Sequence, residues 1–316
     1  MVVISVLGVL ITLSIRGLQV ARESSRKVSC QNHLRQFGVA LLAFESAHDE
    51  LPSGSGIKNE NLRANAVRTD FGSVVYQLAS YLELGVGRLH FDAPSYPGHV
   101  RHDRFTFEVL SCPSDPVSGG LSYRGNTGSA FQSFRFGDPK YDAKLGPFET
   151  PFPIRLNDVT DGLSQTVAFA EKRKGRVDSA VASDEMWSTG ITNGITSPRD
   201  GEKLKVVCQS LPSMSRRVYE RTGYFWNAPG YLHSLYNHWT PPNSVSRMDC
   251  SGRTGSLDTK SLEAAIVQAS SHHPGGLHVL FLDGSVRFVS ESIDEFTWSS
   301  IGSRSEGRAI KADLLF

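Results

Sequence analysis

From Val2 to Ile15 the chain carries no charge, and the run is Val, Ile and Leu with a few small residues. A helix of that composition is apolar on every face, so it seeks lipid or other protein rather than water. Arg16, Arg22, Glu23, Arg26 and Lys27 follow, and after them Cys30 to Glu45 is amphipathic. In that segment Leu34, Phe37, Leu41 and Phe44 recur at spacings of three and four, which puts them on one face. No proline interrupts the first forty-five residues, and only Gly8, Gly17 and Gly38 weaken them. The stretch reads as one continuous helix: an apolar front half that wants a membrane, and a rear half that packs on a globular head.

The chain has 316 residues, 39% hydrophobic and 21% charged, which is enough to bury a sizeable core. A net charge of +1 gives no electrostatic case for a nucleic-acid partner. The cysteines at 30, 112, 208 and 250 form no C-x-x-C pair, so zinc-ribbon and thioredoxin-like readings have little support. In an exported head an even count favours two disulfides, with Cys30–Cys112 and Cys208–Cys250 as the suggested pairs. Connectivity is not fixed by the sequence, and four reduced, buried thiols is the alternative.

The uncharged run is shorter than the ~20 residues a spanning helix needs. A secretory signal would carry basic residues before the run and a small-x-small cleavage site after it. Neither is present, since Leu18-Gln19-Val20-Ala21 is a poor site. A buried core helix is not normally apolar all round for four turns. The segment Met1-Val2-Val3-Ile4-Ser5-Val6-Leu7-Gly8-Val9-Leu10-Ile11 resembles the middle of a type IV prepilin N-terminus. In that family a short basic leader ends in Gly, followed by Phe-Thr-Leu-Ile-Glu-Leu and an apolar run. The resemblance implies that translation starts upstream of Met1, and that six or more added residues bring the apolar length to about 20. Arg16 departs from the family pattern; it can snorkel to the lipid–water boundary.

Ala21-Arg22-Glu23-Ser24-Ser25-Arg26 and Cys30-Gln31-Asn32-His33-Leu34-Arg35-Gln36-Phe37-Gly38 resemble a narrower group. This is a bacterial family of unknown function, prepilin-like, with an H-x(9)-D-G motif near the C-terminus. The likeness continues through His48 to Gly54, Leu78 to Glu83 (a short helix), the turn-rich Leu110-Ser111-Cys112-Pro113-Ser114-Asp115-Pro116, and Ser122 to Gly128. It implies an α+β fold: a long N-terminal stalk helix packed on an antiparallel sheet, with loop-rich insertions. On this reading residues 1–20 are a membrane anchor and residues 21–316 an extracytoplasmic head. The head carries a loop-rich insertion at about 172–260 and a C-terminal hairpin at about 270–290. The implied partners are membrane lipid and like or related pilin-type subunits; no cofactor is implied.

Asp161-Gly162 reads as a turn, and Thr166 to Glu171 as a strand. Asp158 and Asp161 offer oxygens to a hard cation such as calcium, but the spacing is not that of an EF-hand and Asp-Gly is common in plain turns. Arg173, Lys174, Arg176, Asp184 and Glu185 read as solvated surface. Between Tyr224 and Trp239 the chain is rich in aromatics. Trp226, Tyr231 and Trp239 are candidates for a glycan or solute platform, or they fill the core of a subdomain stapled by Cys208 and Cys250.

The sharpest short feature runs from Ser270 to Val289. Two β-rich runs flank Asp283-Gly284, a strong hairpin signal, for which a type I′ turn is expected. Nine residues separate His273 from Asp283, so the H-x(9)-D-G motif is intact. His273 and His278 do not match a zinc motif, and the chain has no nucleophile elbow, phosphate loop or dinucleotide fingerprint. The expected roles are structural: His273 bonded to loop backbone, and Asp283 holding the turn. Three functions remain in view. The first is a non-enzymatic, membrane-anchored or filament-forming pseudopilin-like protein. The second is an extracellular glycan- or solute-binding module, and the third a secreted hydrolase using His273 and Asp283.

Overall fold

The computed structural model describes residues 2–54, 72–85, 106–129, 145–148, 153–175, 186–188, 200–210, 217–219, 222–244, 249–251 and 265–307. Its axis is helix α1, Val2–His48, unbroken for 47 residues. At about 1.5 Å per residue it is about 70 Å long. Asp49 ends it in the left-handed region at φ 57°, with its N–H bonded to the Glu45 carbonyl, before Leu51 and Pro52 lead the chain away.

Only the rear half of α1 is covered. Cys30, Leu34, Phe37, Ala40 and Leu41 are buried, the face that the spacing predicts. Phe37 meets Tyr123 and Phe169 at ring-centroid distances of 5.5 and 5.2 Å. The front half stands clear: Val3, Leu7, Ile11 and Val20 are 71%, 53%, 58% and 68% exposed. No helix among the described residues is long and apolar enough to cross a membrane.

Beneath the rear half lies a five-stranded sheet. Its strands are β1 (Tyr123–Asn126), β2 (Val167–Glu171), β5 (Leu235–Tyr236), β8 (Gly276–Phe281) and β9 (Val286–Ser290), in the order β5-β1-β2-β8-β9. The fold is α+β as expected, but the sheet is mixed. The pairs β1–β2, β2–β8 and β8–β9 are antiparallel, while β5 joins β1 in parallel. β5 is two residues long and arrives from the insertion, so its direction is set by that long connection and not by a hairpin. β8 is buried along its whole length, and Gly38 of α1 crosses it closely. A Cβ on Gly38 would sit 3.0 Å from Leu280 Cδ1 and 3.4 Å from the Gly284 backbone. Gly38→Ala is therefore expected to be nearly neutral, because about 1 kcal/mol of helix propensity offsets a small shift of Leu280. Gly38→Leu overpacks the contact and is expected to cost about 1–3 kcal/mol in urea unfolding.

The insertion is more ordered than its composition suggests. It supplies β3 (Met186–Ser188), α3 (Asp200–Gln209), β4 (Arg217–Tyr219) and β6 (Cys250–Ser251). With β7 (Ala265–Ile266) the strands make a second sheet, ordered β4-β3-β6-β7. The short helix expected at Leu78 to Glu83 lies earlier, as α2 (Val74–Gln77), because Ser73 caps it by accepting from Tyr76 N. Helix α4 (Glu295–Gly302) is capped by Asp294, which accepts from Thr297 N at 2.8 Å.

Both suggested disulfides are present. Cys30–Cys112 ties α1 to the loop before β1, and Cys208–Cys250 ties α3 to β6. The first closes a separation of 82 residues. On chain-entropy grounds such a bridge contributes about 4 kcal/mol. Two disulfides point to an oxidising, extracytoplasmic compartment.

Candidate functional site

The C-terminal signature divides between two places. Asp283 and Gly284 form the tip of the β8–β9 hairpin. Gly284 N bonds the Phe281 carbonyl, Phe281 N bonds Ser285 O, and only Gly284 has positive φ, at 84°. This is a type I turn closed by a glycine bulge, not the expected type I′ turn. It needs one left-handed residue instead of two and puts it where no Cβ is strained. Asp283 does hold the turn: its Oδ1 accepts from Ser285 N at 2.9 Å and Ser285 Oγ at 2.6 Å.

His273 lies at the other end of β8, whose six residues alone span about 20 Å. His273 and Asp283 therefore cannot act on one bond, and the hydrolase pairing has no geometric basis. Nor does His273 bond loop backbone through its ring, as expected. It sits between two glutamates: Nδ1 donates to Glu23 Oε1 of α1 at 2.7 Å, and Nε2 faces Glu171 Oε1 of β2 at 3.2 Å. Its Nε2 is also 3.5 Å from Cys112 Sγ, so the Cys30–Cys112 disulfide adjoins the ring.

Glu171 is the hub. Besides His273, its carboxylate accepts from His278 N at 2.9 Å and from His278 Nδ1 at 3.3 Å. Burial alone would raise the Glu171 pKa, but the bonds and charges of His273 and His278 win and pull it down to about 2. For His273, burial opposes the charged ring, while the bonds and charges of Glu171 and then Glu23 raise its proton affinity above that of a free imidazole. At the rim, burial works against the Glu23 charge, and the bonds from His273, Arg26 and Ser114 overcome it and keep the pKa low. Arg26 is 2.6 Å away and Ser114 Oγ 3.0 Å.

The hub extends to the second sheet. Lys172 Nζ is 2.5 Å from Asp249 Oδ2 and donates to Ser270 Oγ at 3.2 Å; both charged groups are buried. Lys174, expected on the surface, is buried as well, with its ammonium donating to Ser111 Oγ at 2.6 Å and Gly119 O at 2.7 Å. Arg176, Asp184 and Glu185 lie outside the described residues. A shallow pocket lined by Cys112, Asp115, Glu171, Lys172 and Ser271 opens on this cluster.

Several of the remaining expected site residues are taken up by packing or by backbone hydrogen bonds. Trp226 and Tyr231 are buried, Trp226 packing edge-on to Phe107, so neither ring offers a face to a sugar. Trp239 is half-buried. The calcium candidates already serve the backbone: Asp158 Oδ2 accepts from Arg155 N at 2.8 Å. The Asp161 oxygens accept from Glu306 N and Gly307 N, both at 2.6 Å, and Gly162 makes the turn at φ 99°. Cys112 and Pro113 open a turn closed by Asp115 N bonding the Cys112 carbonyl at 2.9 Å.

Glu23 and Glu171 were not among the residues singled out from the sequence. The one sequence signal for Glu23 is its sign, an acid among Arg16, Arg22, Arg26 and Lys27. Glu171 ends an apolar strand and carries no local signature. A family model described as "Protein of unknown function (DUF1559)" matches residues 19–295, which takes in the rear half of α1 and the head down to Glu295. No curated protein and no solved structure matches the chain.

Proposed function

The chain belongs to the DUF1559 family, proteins of unknown function, and from that premise we propose that it is a non-enzymatic, pilin-like subunit. Its head is held outside the cytoplasm by the front half of α1, which is buried in lipid together with like helices. The observation that carries this reading is the exposure of Val3, Leu7, Leu10, Ile11, Ile15 and Leu18 on a helix whose rear half is fixed to the head. A soluble protein seldom leaves so long an apolar surface in water. These side chains are about half to seven-tenths exposed, so covering what remains of each contributes about 1–2 kcal/mol. The cluster around Glu171 supports the reading from the other side. A salt-bridged, disulfide-tied joint makes stalk and head move as one, which suits a subunit that transmits load and does not turn over a substrate.

The test uses the full chain and lipid vesicles. Wild type is expected to float with vesicles and, in mild detergent, to run larger than a monomer. Leu7→Glu with Ile11→Glu should abolish both without changing the melting temperature, since both side chains are more than half exposed. A wild-type chain that stays monomeric and unbound without detergent overturns the proposal.

A further inference from the structure

We propose that the Cys30–Cys112 disulfide, when reduced, gives way to a zinc site formed by Cys30, Cys112, His273 and Glu171. One ligand atom from each lies within 4.8 Å of all the others. A tetrahedral zinc ion with bonds of about 2.0–2.3 Å holds its ligand atoms about 3.3–3.8 Å apart. Two of the edges are already set: His273 Nε2 is 3.2 Å from Glu171 Oε1 and 3.5 Å from Cys112 Sγ. The Cα atoms of the cysteines are 5.1 Å apart, and rotation about Cα–Cβ lets the freed sulfurs part to the required separation.

The second observation is on the far side of the ring. A histidine that binds zinc through one nitrogen almost always gives its other N–H to a carboxylate or carbonyl, which fixes tautomer and orientation. His273 does this with Glu23 at 2.7 Å. Glu171 is oriented too, by the backbone N–H and ring of His278. The ligands come from α1, the loop before β1, the end of β2 and the segment before β8, and all four are buried. The pocket lined by Cys112 and Glu171 brings solvent to the edge of this cluster.

The chemistry balances with a dithiol reductant. The dithiol passes two electrons and two protons to the S–S bond, leaving two cysteine thiols and its own disulfide. Zinc then displaces both thiol protons and the Nε2 proton of His273. Disulfide exchange in the reverse direction re-forms Cys30–Cys112, returns the proton to His273 and expels the ion. The joint between α1 and the sheet is thus cross-linked in either redox state, by a covalent bond or by a metal.

The experiment uses the full chain carrying Cys208→Ser and Cys250→Ser, so that only one cysteine pair remains. Reduced with a phosphine, it is expected to bind one equivalent of zinc against a chromophoric chelator. Cobalt in place of zinc should give a thiolate charge-transfer band and tetrahedral visible bands. The oxidised chain should bind none at the same metal concentration. Glu23→Gln touches no metal and keeps the disulfide, so it can be folded oxidised and then reduced; its zinc affinity is expected to fall 10- to 100-fold. Cys30→Ser should remove the cobalt thiolate bands of the paired site. Should the reduced chain bind no zinc, or bind it equally well with Cys30→Ser or Glu23→Gln, the site does not exist.

Discussion

Glu171→Ala is expected to destabilise the protein by about 3–5 kcal/mol, the usual cost of removing one member of a buried charged network. The reason is what it leaves behind. His278 N, His278 Nδ1 and His273 Nε2 all face the Glu171 oxygens, and each ring is buried. Without the carboxylate, a charged or half-charged His273 remains enclosed with only Glu23 to answer it. Glu171→Gln keeps the shape and one acceptor, so its loss should be about half as large. Glu23→Ala strikes the same histidine from the rim, where the side chain keeps 22% of its surface in water, and should cost about 1 kcal/mol. Urea unfolding of the three variants at pH 7 decides the matter. Equal, small losses from all three would mean that the hub is not what joins α1 to the sheet.

That hub shows where sequence reading succeeds and where it stops. The buried stripe Leu34, Phe37 and Leu41 is legible because helix periodicity is local, repeating every three or four residues. β2 and the β8–β9 hairpin are legible because their signals are local too: Thr166 to Glu171 is a short run of small and β-branched residues just after the Asp161-Gly162 turn, and Asp283-Gly284 names a turn. The Glu23–His273 contact spans 250 positions, and no period connects them. The motif histidine and aspartate sit close in sequence and invite a shared role, yet a fully extended strand drives them apart. The second sheet leaves no mark in the sequence, because strands of two or three residues are too short to show alternation. The turn at Asp283 differs in type from the expected one because both hairpin solutions accept Asp-Gly. Only the exchange of hydrogen bonds at Phe281 separates them.

Acid should unfold this protein well before its carboxylates are protonated. His233 and His238 are both fully buried, and burial drives the pKa of each down to about 3; for His233 the Arg124 charge adds to the effect. His238 is held neutral, stacked on Trp298 at 4.0 Å, with Nδ1 donating to the Trp298 carbonyl at 2.7 Å and Nε2 accepting from Tyr236 OH at 2.8 Å. That carbonyl bond works against the burial but does not overcome it. Gly302 closes over the ring so tightly that a Cβ there would lie 2.4 Å from it, which leaves no room for a hydrating water. For a histidine depressed in this way the unfolded chain binds the extra proton first. Stability is therefore full above about pH 6.5 and is lost progressively as pH falls toward 3. At pH 4.5 the two rings together cost on the order of 5 kcal/mol, at about 1.4 kcal/mol for each tenfold change in proton affinity. His273 runs the other way: its raised affinity stabilises the fold fully below pH 6.5 and is lost only as pH rises through its folded pKa. Glu171 stays ionised until about pH 2, so what it adds is lost between about pH 4.5 and 2, below the histidine window. The urea midpoint should therefore drop steeply from pH 7 to pH 4.5, and His233→Gln should flatten that slope while lowering the midpoint at pH 7. A midpoint that holds or rises at pH 4.5 would mean that water reaches these rings and that the packing around Trp298 and Gly302 is looser than described.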